Sequence, residues 1–127
     1  MRSGILVYIS GPITPKNGRT LEENVAAGVE VYRFLLLRGI PAILPHFNCL
    51  LPDRGEFLHY DQWMAYDYRL LDRCTHILMM PGWEQSAGAC LELAYARGPA
   101  RPLALGRGPM GVIFWPPAPP FDIDFPL

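Results

Sequence analysis

The sequence predicts an α/β fold: a three-layer sandwich around a central, mainly parallel sheet of four or five strands. Three observations carry that expectation. Short β-branched apolar runs alternate with longer segments of helical period, and Gly or Pro turns punctuate them. The first 45 residues already read strand–helix–strand, which favours a parallel sheet with a right-handed crossover. A chain of 127 residues, half hydrophobic and 18% charged, suits one folded domain.

Taken in order, Ile5 to Ile9 reads as a buried strand stopped by Ser10-Gly11-Pro12. Thr20-Leu21-Glu22-Glu23 has capping-box spacing, and Val25, Val29, Tyr32 and Leu36 follow at helical intervals up to Gly39. Ile40 to Leu44 is a second strand, closed by Pro45. His46 to Tyr60 shows no period and reads as a long loop. A helix is predicted over Asp61 to Cys74, a strand over Thr75 to Met80, and a turn over Pro81 to Gln85. Ser86 caps a helix ending near Gly98, and Arg101 to Leu105 reads as the fourth strand. Val112 to Trp115 offers a fifth. Residues 1–105 thus form the α/β domain, and 106–127 its Pro-rich tail. The end, Phe121-Asp122-Ile123-Asp124-Phe125, can wrap its own domain or reach a neighbouring subunit.

Composition excludes several roles. Eleven basic and twelve acidic residues give a charge of −1, which leaves no footprint for a nucleic acid polymer or an anionic membrane. No run approaches the roughly 18 apolar residues of a membrane span, and the N-terminal apolar run is too short for a secretory signal. Cys49, Cys74 and Cys90 are odd in number and lack C-x-x-C spacing, so neither a disulfide framework nor a thiolate metal site is expected. A reducing, cytoplasmic setting follows. The histidines His46, His59 and His76 have no metal-ligand spacing either, and no cofactor motif occurs.

Two carboxylates stand out. Asp67 interrupts an apolar stripe of Trp63 or Met64, Leu70, Leu71 and Cys74. Either it opens onto a polar cavity, or it sits at the stripe edge, solvated or paired with Arg69 or Arg73. Glu92 is the only carboxylate on the apolar helix from Ser86 to Ala96, close to its positive N-terminus. It is either a buried nucleophile or base, or a surface residue. Ser10-Gly11-Pro12, His46 and Ser86-Ala87-Gly88 fall at the carboxyl edge of the predicted sheet, where ligands bind. Tyr8 and Trp83 flank the same loops and can stack on a base or simply pack.

Tyr8-Ile9-Ser10-Gly11-Pro12-Ile13-Thr14, Asp67 through Thr75, and Met80-Pro81-Gly82-Trp83-Glu84-Gln85-Ser86-Ala87-Gly88-Ala89-Cys90-Leu91-Glu92 occur in order over about residues 5 to 98. Together they resemble the nucleoside 2-deoxyribosyltransferase-like superfamily, especially its small phage and bacterial branch related to 2′-deoxynucleoside 5′-monophosphate N-glycosidases. The resemblance implies a Rossmann-like sandwich and cleavage of an N-glycosidic bond, by water or by another base. It implies Glu92 as nucleophile on C1′, Asp67 as the assisting carboxyl, and Tyr8 as the residue positioning the nucleophile. Substrate contacts are expected at Ser10, Gly11, Pro12, Arg19, His46, Trp83, Ser86 and Gly88, with Gly11 and Ser86 on a phosphate where one is present. The implied ligand is a small nucleoside or nucleotide, without cofactor or metal, in a homodimer or larger homo-oligomer.

Relatives complete the site with an Asn or Ser from a neighbouring subunit. Beyond Ser86 this chain has no Ser, Thr, Asn, Gln or His, so such a contact must come from backbone, Tyr95, an Arg, Asp122 or Asp124. A non-catalytic nucleotide-sensing module that keeps the cavity is the alternative reading.

Overall fold

The computed structural model describes residues 1–99 and 110–117. Among these residues four strands, β1 (Val7–Ser10), β2 (Ala42–Ile43), β3 (His76–Met79) and β4 (Gly111–Phe114), form one parallel sheet in the order β2-β1-β3-β4. Val7 pairs with Ala42 on one side and His76 on the other, which makes β1 central. All four β1 residues are buried, as expected for a strand covered on both faces.

Period two divides the strands between two apolar layers. Val7, Ile9 and Leu78 pack with Val31 and Leu35 of helix α1 (Leu21–Leu37). Tyr8, Ile77 and Met79 pack on the other face, with Leu71 of α2 (Tyr60–Leu71) and with Ala89, Leu93 and Ala96 of α3 (Ala87–Arg97). This is the three-layer, Rossmann-like sandwich that the sequence predicts. Because β2 and β3 flank β1 on opposite sides, the chain reverses its winding there. A crevice opens at the carboxyl ends of β1 and β3.

The capping box forms as spaced: Thr20 Oγ1 accepts from Glu23 N at 3.0 Å, and the Glu23 carboxylate accepts from Thr20 N at 3.0 Å. Other boundaries move. β2 keeps only two residues of the run Ile40 to Leu44, and α2 ends three residues before Cys74. The segment read as loop contains a 3₁₀ turn, Pro45–Leu50, opened by a proline whose fixed φ suits a helical first position, and a second turn, Pro52–Gly55, whose Asp53 and Arg54 are left-handed. The run read as a fifth strand supplies β4. The strand predicted at Arg101 to Leu105 and the tail Phe121 to Phe125 lie outside the described residues. Among those described, no helix is long and apolar enough to cross a membrane.

Candidate active site

The site grows from the end of β1. Tyr8 and Ser10, two residues apart, point to the same face of the sheet, and both reach Glu92 on α3. The Tyr8 hydroxyl donates to Glu92 Oε2 at 2.5 Å, and Ser10 Oγ donates to Oε1 at 2.7 Å. Glu92 is only 7% exposed. Burial raises its pKa, while the hydrogen bonds from Tyr8 and Ser10 and the neighbouring Asp67 carboxyl pull it back down. Tyr8, wholly buried beside two carboxyls, is held well above the usual phenol range and stays a donor.

Asp67 comes from α2, which packs on α3. Burial, then the charge of Glu92, raises its carboxyl to about 8. Its Oδ1 is buried with no hydrogen-bond partner among the described residues. The two carboxyls therefore differ in kind. Glu92 has a donor on each oxygen and is the group that ionises first, whereas Asp67 keeps its proton through neutral pH. Environments that push two acids apart in this way assign an anion and an acid.

Both groups border one cavity of about 510 Å³. Gly11, Pro12 and Arg19 wall it from the β1–α1 loop, and Ser86 and Gly88 from the start of α3. Ser86 caps α3, accepting from Ala89 N at 3.2 Å. Gly11 allows close approach to β3: a Cβ there would stand 2.7 Å from Met80 Cβ. A two-residue turn at Asn17 and Gly18, both with positive φ, closes a tight hairpin between Lys16 and Arg19. Its tip joins the β3–α3 loop. Asn17 Nδ2 donates to Gln85 Oε1 at 2.5 Å, and Lys16 Nζ to the Gln85 carbonyl at 3.2 Å.

Asp67, Glu92, Gly11, Pro12, Arg19, Ser86 and Gly88 thus meet on one cavity. Tyr8 and Ser10 lie behind it, against Glu92. The Ser10 hydroxyl, read from sequence as a substrate contact, is given to the carboxylate instead. His46 is buried behind the wall, with Nε2 on the Pro12 carbonyl at 3.0 Å; burial drops its pKa to about 4 and keeps it neutral. Trp83 packs among the residues of the α2/α3 layer and against Phe114, with ring centroids 5.9 Å apart. Arg19 is tied to α1, its Nε donating to Asn24 Oδ1 at 3.0 Å.

Sequence reasoning missed Lys16, Asn17, Arg54, Tyr60 and Gln85 on the wall. The Asn17-Gly18 pair is a turn signal that could have found the hairpin. Tyr60, Trp63, Met64 and Asp67, spaced i, i+3, i+4 and i+7, are one helical face, and all four line the cavity. Among the described residues, no group of three His, Cys, Asp or Glu is placed to hold a metal.

Residues 5–103 match a family described as a domain of unknown function (DUF4406), and the chain belongs to that family. No curated protein matches the chain.

Proposed function

We propose that this member of the DUF4406 family cleaves the N-glycosidic bond of a deoxynucleoside or deoxynucleoside 5′-monophosphate, by hydrolysis or base exchange, with Glu92 as nucleophile. One observation carries the reading: an oriented carboxylate and a carboxyl protonated up to about pH 8 border the same cavity. That pairing suits retaining glycoside chemistry, in which one carboxyl attacks the anomeric carbon and the other handles the proton. A cavity of about 510 Å³ is of ligand size, and Tyr60 and Trp63 offer aromatic surface for a base.

In the first step a Glu92 oxygen forms a bond to C1′ as the C1′–N bond breaks. The bonding pair leaves with the base, which takes its proton from Asp67. In the second step water, or the nitrogen of another base, attacks C1′ and the Glu92–C1′ ester bond breaks. Asp67, now a carboxylate, receives the proton that the attacking group loses. Tyr8 stays protonated throughout and stabilises the ionised Glu92 before attack and after release. By the resemblance, Gly11 and Ser86 receive the phosphate where the substrate has one; Ser86 and Gly88 stand at the positive end of α3.

The test is release of free base from a panel of deoxynucleosides and their monophosphates. Release by the wild type that Glu92→Ala abolishes supports the reading; release undiminished in Glu92→Ala removes it. The scarcity of side-chain amides and hydroxyls after Ser86 favours one competitor, a nucleotide-sensing module. Ligand-dependent thermal stabilisation without any product would identify it. A cytoplasmic homo-oligomer is part of the proposal, and sedimentation of full-length and tail-deleted protein tests the assembly.

A further inference from the structure

Glu92 is a carboxylate with a separate hydroxyl on each oxygen. Tyr8 fits a positioning role by resemblance, but nothing in that likeness assigns one to Ser10. Its side chain is only 1% exposed, and Ser10 Oγ donates to Glu92 Oε1 at 2.7 Å from beneath the cavity wall. The terminal torsion of a glutamate is broad and two-fold when free. One donor leaves the carboxyl able to pivot about the bonded oxygen; two donors on two oxygens fix its plane. The second bond also has an electrostatic effect. In a buried site, a hydrogen bond to the charged form favours ionisation against desolvation. That holds the negative charge on Glu92 while the proton stays on Asp67.

We infer that Ser10 is a positioning residue for the nucleophile, setting the plane of the Glu92 carboxylate and holding it ionised, and is not a substrate contact. This rests on the glycosidase reading for its catalytic consequence, though the titration it predicts is a property of the protein alone. A purely structural serine would affect folding and leave the titration of Glu92 where it is.

The experiment uses the full chain and reads two quantities. The first is the titration of the Glu92 side-chain carbon by 13C NMR, assigned with Glu92→Gln. Measuring it in an Asp67→Asn background makes the midpoint belong to Glu92 and not to the coupled pair. Ser10→Ala is expected to raise that midpoint by about one to two pH units. Ser10→Thr, which keeps the hydroxyl, restores the wild-type value. Ser10→Cys keeps nearly the same volume with a weaker donor, and gives a partial rise should the alanine variant not fold. The second quantity, in the Asp67 wild type, is base release from deoxynucleosides and their monophosphates. Ser10→Ala is expected to lower kcat roughly ten- to a hundredfold with KM within about twofold, and to move the acid limb of the pH profile upward. An unmoved Glu92 midpoint in folded Ser10→Ala and Ser10→Cys overturns the inference. So does a rise in KM at constant kcat, which marks a substrate contact. If the wild type releases no base while the midpoint still shifts, the glycosidase reading fails and the hold of Ser10 on Glu92 stands.

Discussion

The Tyr8 hydroxyl meets Glu92 Oε2 at 2.5 Å across 84 positions of sequence, joining the central strand to the third α-helix inside the protein. A phenol held above its usual range cannot compete for the negative charge, so it acts as a fixed donor. Removing the donor while keeping the ring isolates its effect. Tyr8→Phe is expected to lower kcat for base release about ten- to a hundredfold with little change in KM. Steady-state kinetics with the best substrate of the panel checks it.

In the proposed mechanism the Asp67 carboxyl, raised to about 8, sets the alkaline side of the pH profile. The proposed acid works only while protonated, so activity is expected to fall as pH rises through about 8. Glu92, as the proposed nucleophile, works only when ionised, and burial raises it above the ordinary carboxylate range, which is expected to move the acid limb upward. The profile is therefore a bell whose limbs belong to the coupled pair. Asp67→Asn, which has no acid proton to give, is expected to lose most activity and the alkaline limb with it. A pH–rate series on both proteins checks this.

The same shift has a stability consequence. Folded Asp67 titrates near 8, whereas its unfolded value is the ordinary 3.8. Between those values the folded state binds more protons than the unfolded one, so stability falls as pH rises. Below about pH 4 both states are protonated and the contribution is fully present; above about 8 it is lost. Asp67→Asn is therefore expected to match wild-type Tm near pH 4 and to exceed it at pH 8 to 9. A gain of about 1 kcal/mol corresponds to roughly 4 °C in a chain of this size. Thermal unfolding at the two pH values checks it.

The hairpin tip at Asn17 is latched to Gln85 by exposed hydrogen bonds. Cys49 lines the same cavity and is half-buried, so its alkylation reports access. Gln85→Ala, in a Cys90→Ser background, removes the Asn17 bond and keeps the Lys16 bond to the main-chain carbonyl, and is expected to speed Cys49 labelling about two- to tenfold, the range set by losing one modest hydrogen bond. Labelling rates read by mass spectrometry check it.

Much of this was legible in the sequence, for identifiable reasons. The box at Thr20 and Glu23 is a local signal, and it formed locally. Glu92 and Asp67 were visible as carboxylates on apolar faces, because burying a charge without a purpose is costly. Cys74 misled the end of α2: it keeps the apolar spacing and is buried, but it lies in a turn, its N–H on the Leu71 carbonyl at 3.0 Å. Ser10 was read toward the ligand because strand-end loops bind ligands; the parity it shares with Tyr8 points it to Glu92. Arg54 carried no signal at all. It reaches the cavity wall through two successive left-handed residues, Asp53 and Arg54, which an L side chain rarely adopts.

Rapid-quench mass spectrometry during turnover reads directly the covalent bond proposed between Glu92 and the sugar. A deoxyribosyl adduct, with its phosphate where the substrate has one, is expected on the peptide carrying Glu92, with no adduct or base release in Glu92→Gln. Base release that persists in Glu92→Gln, or an adduct on any other residue, would contradict it.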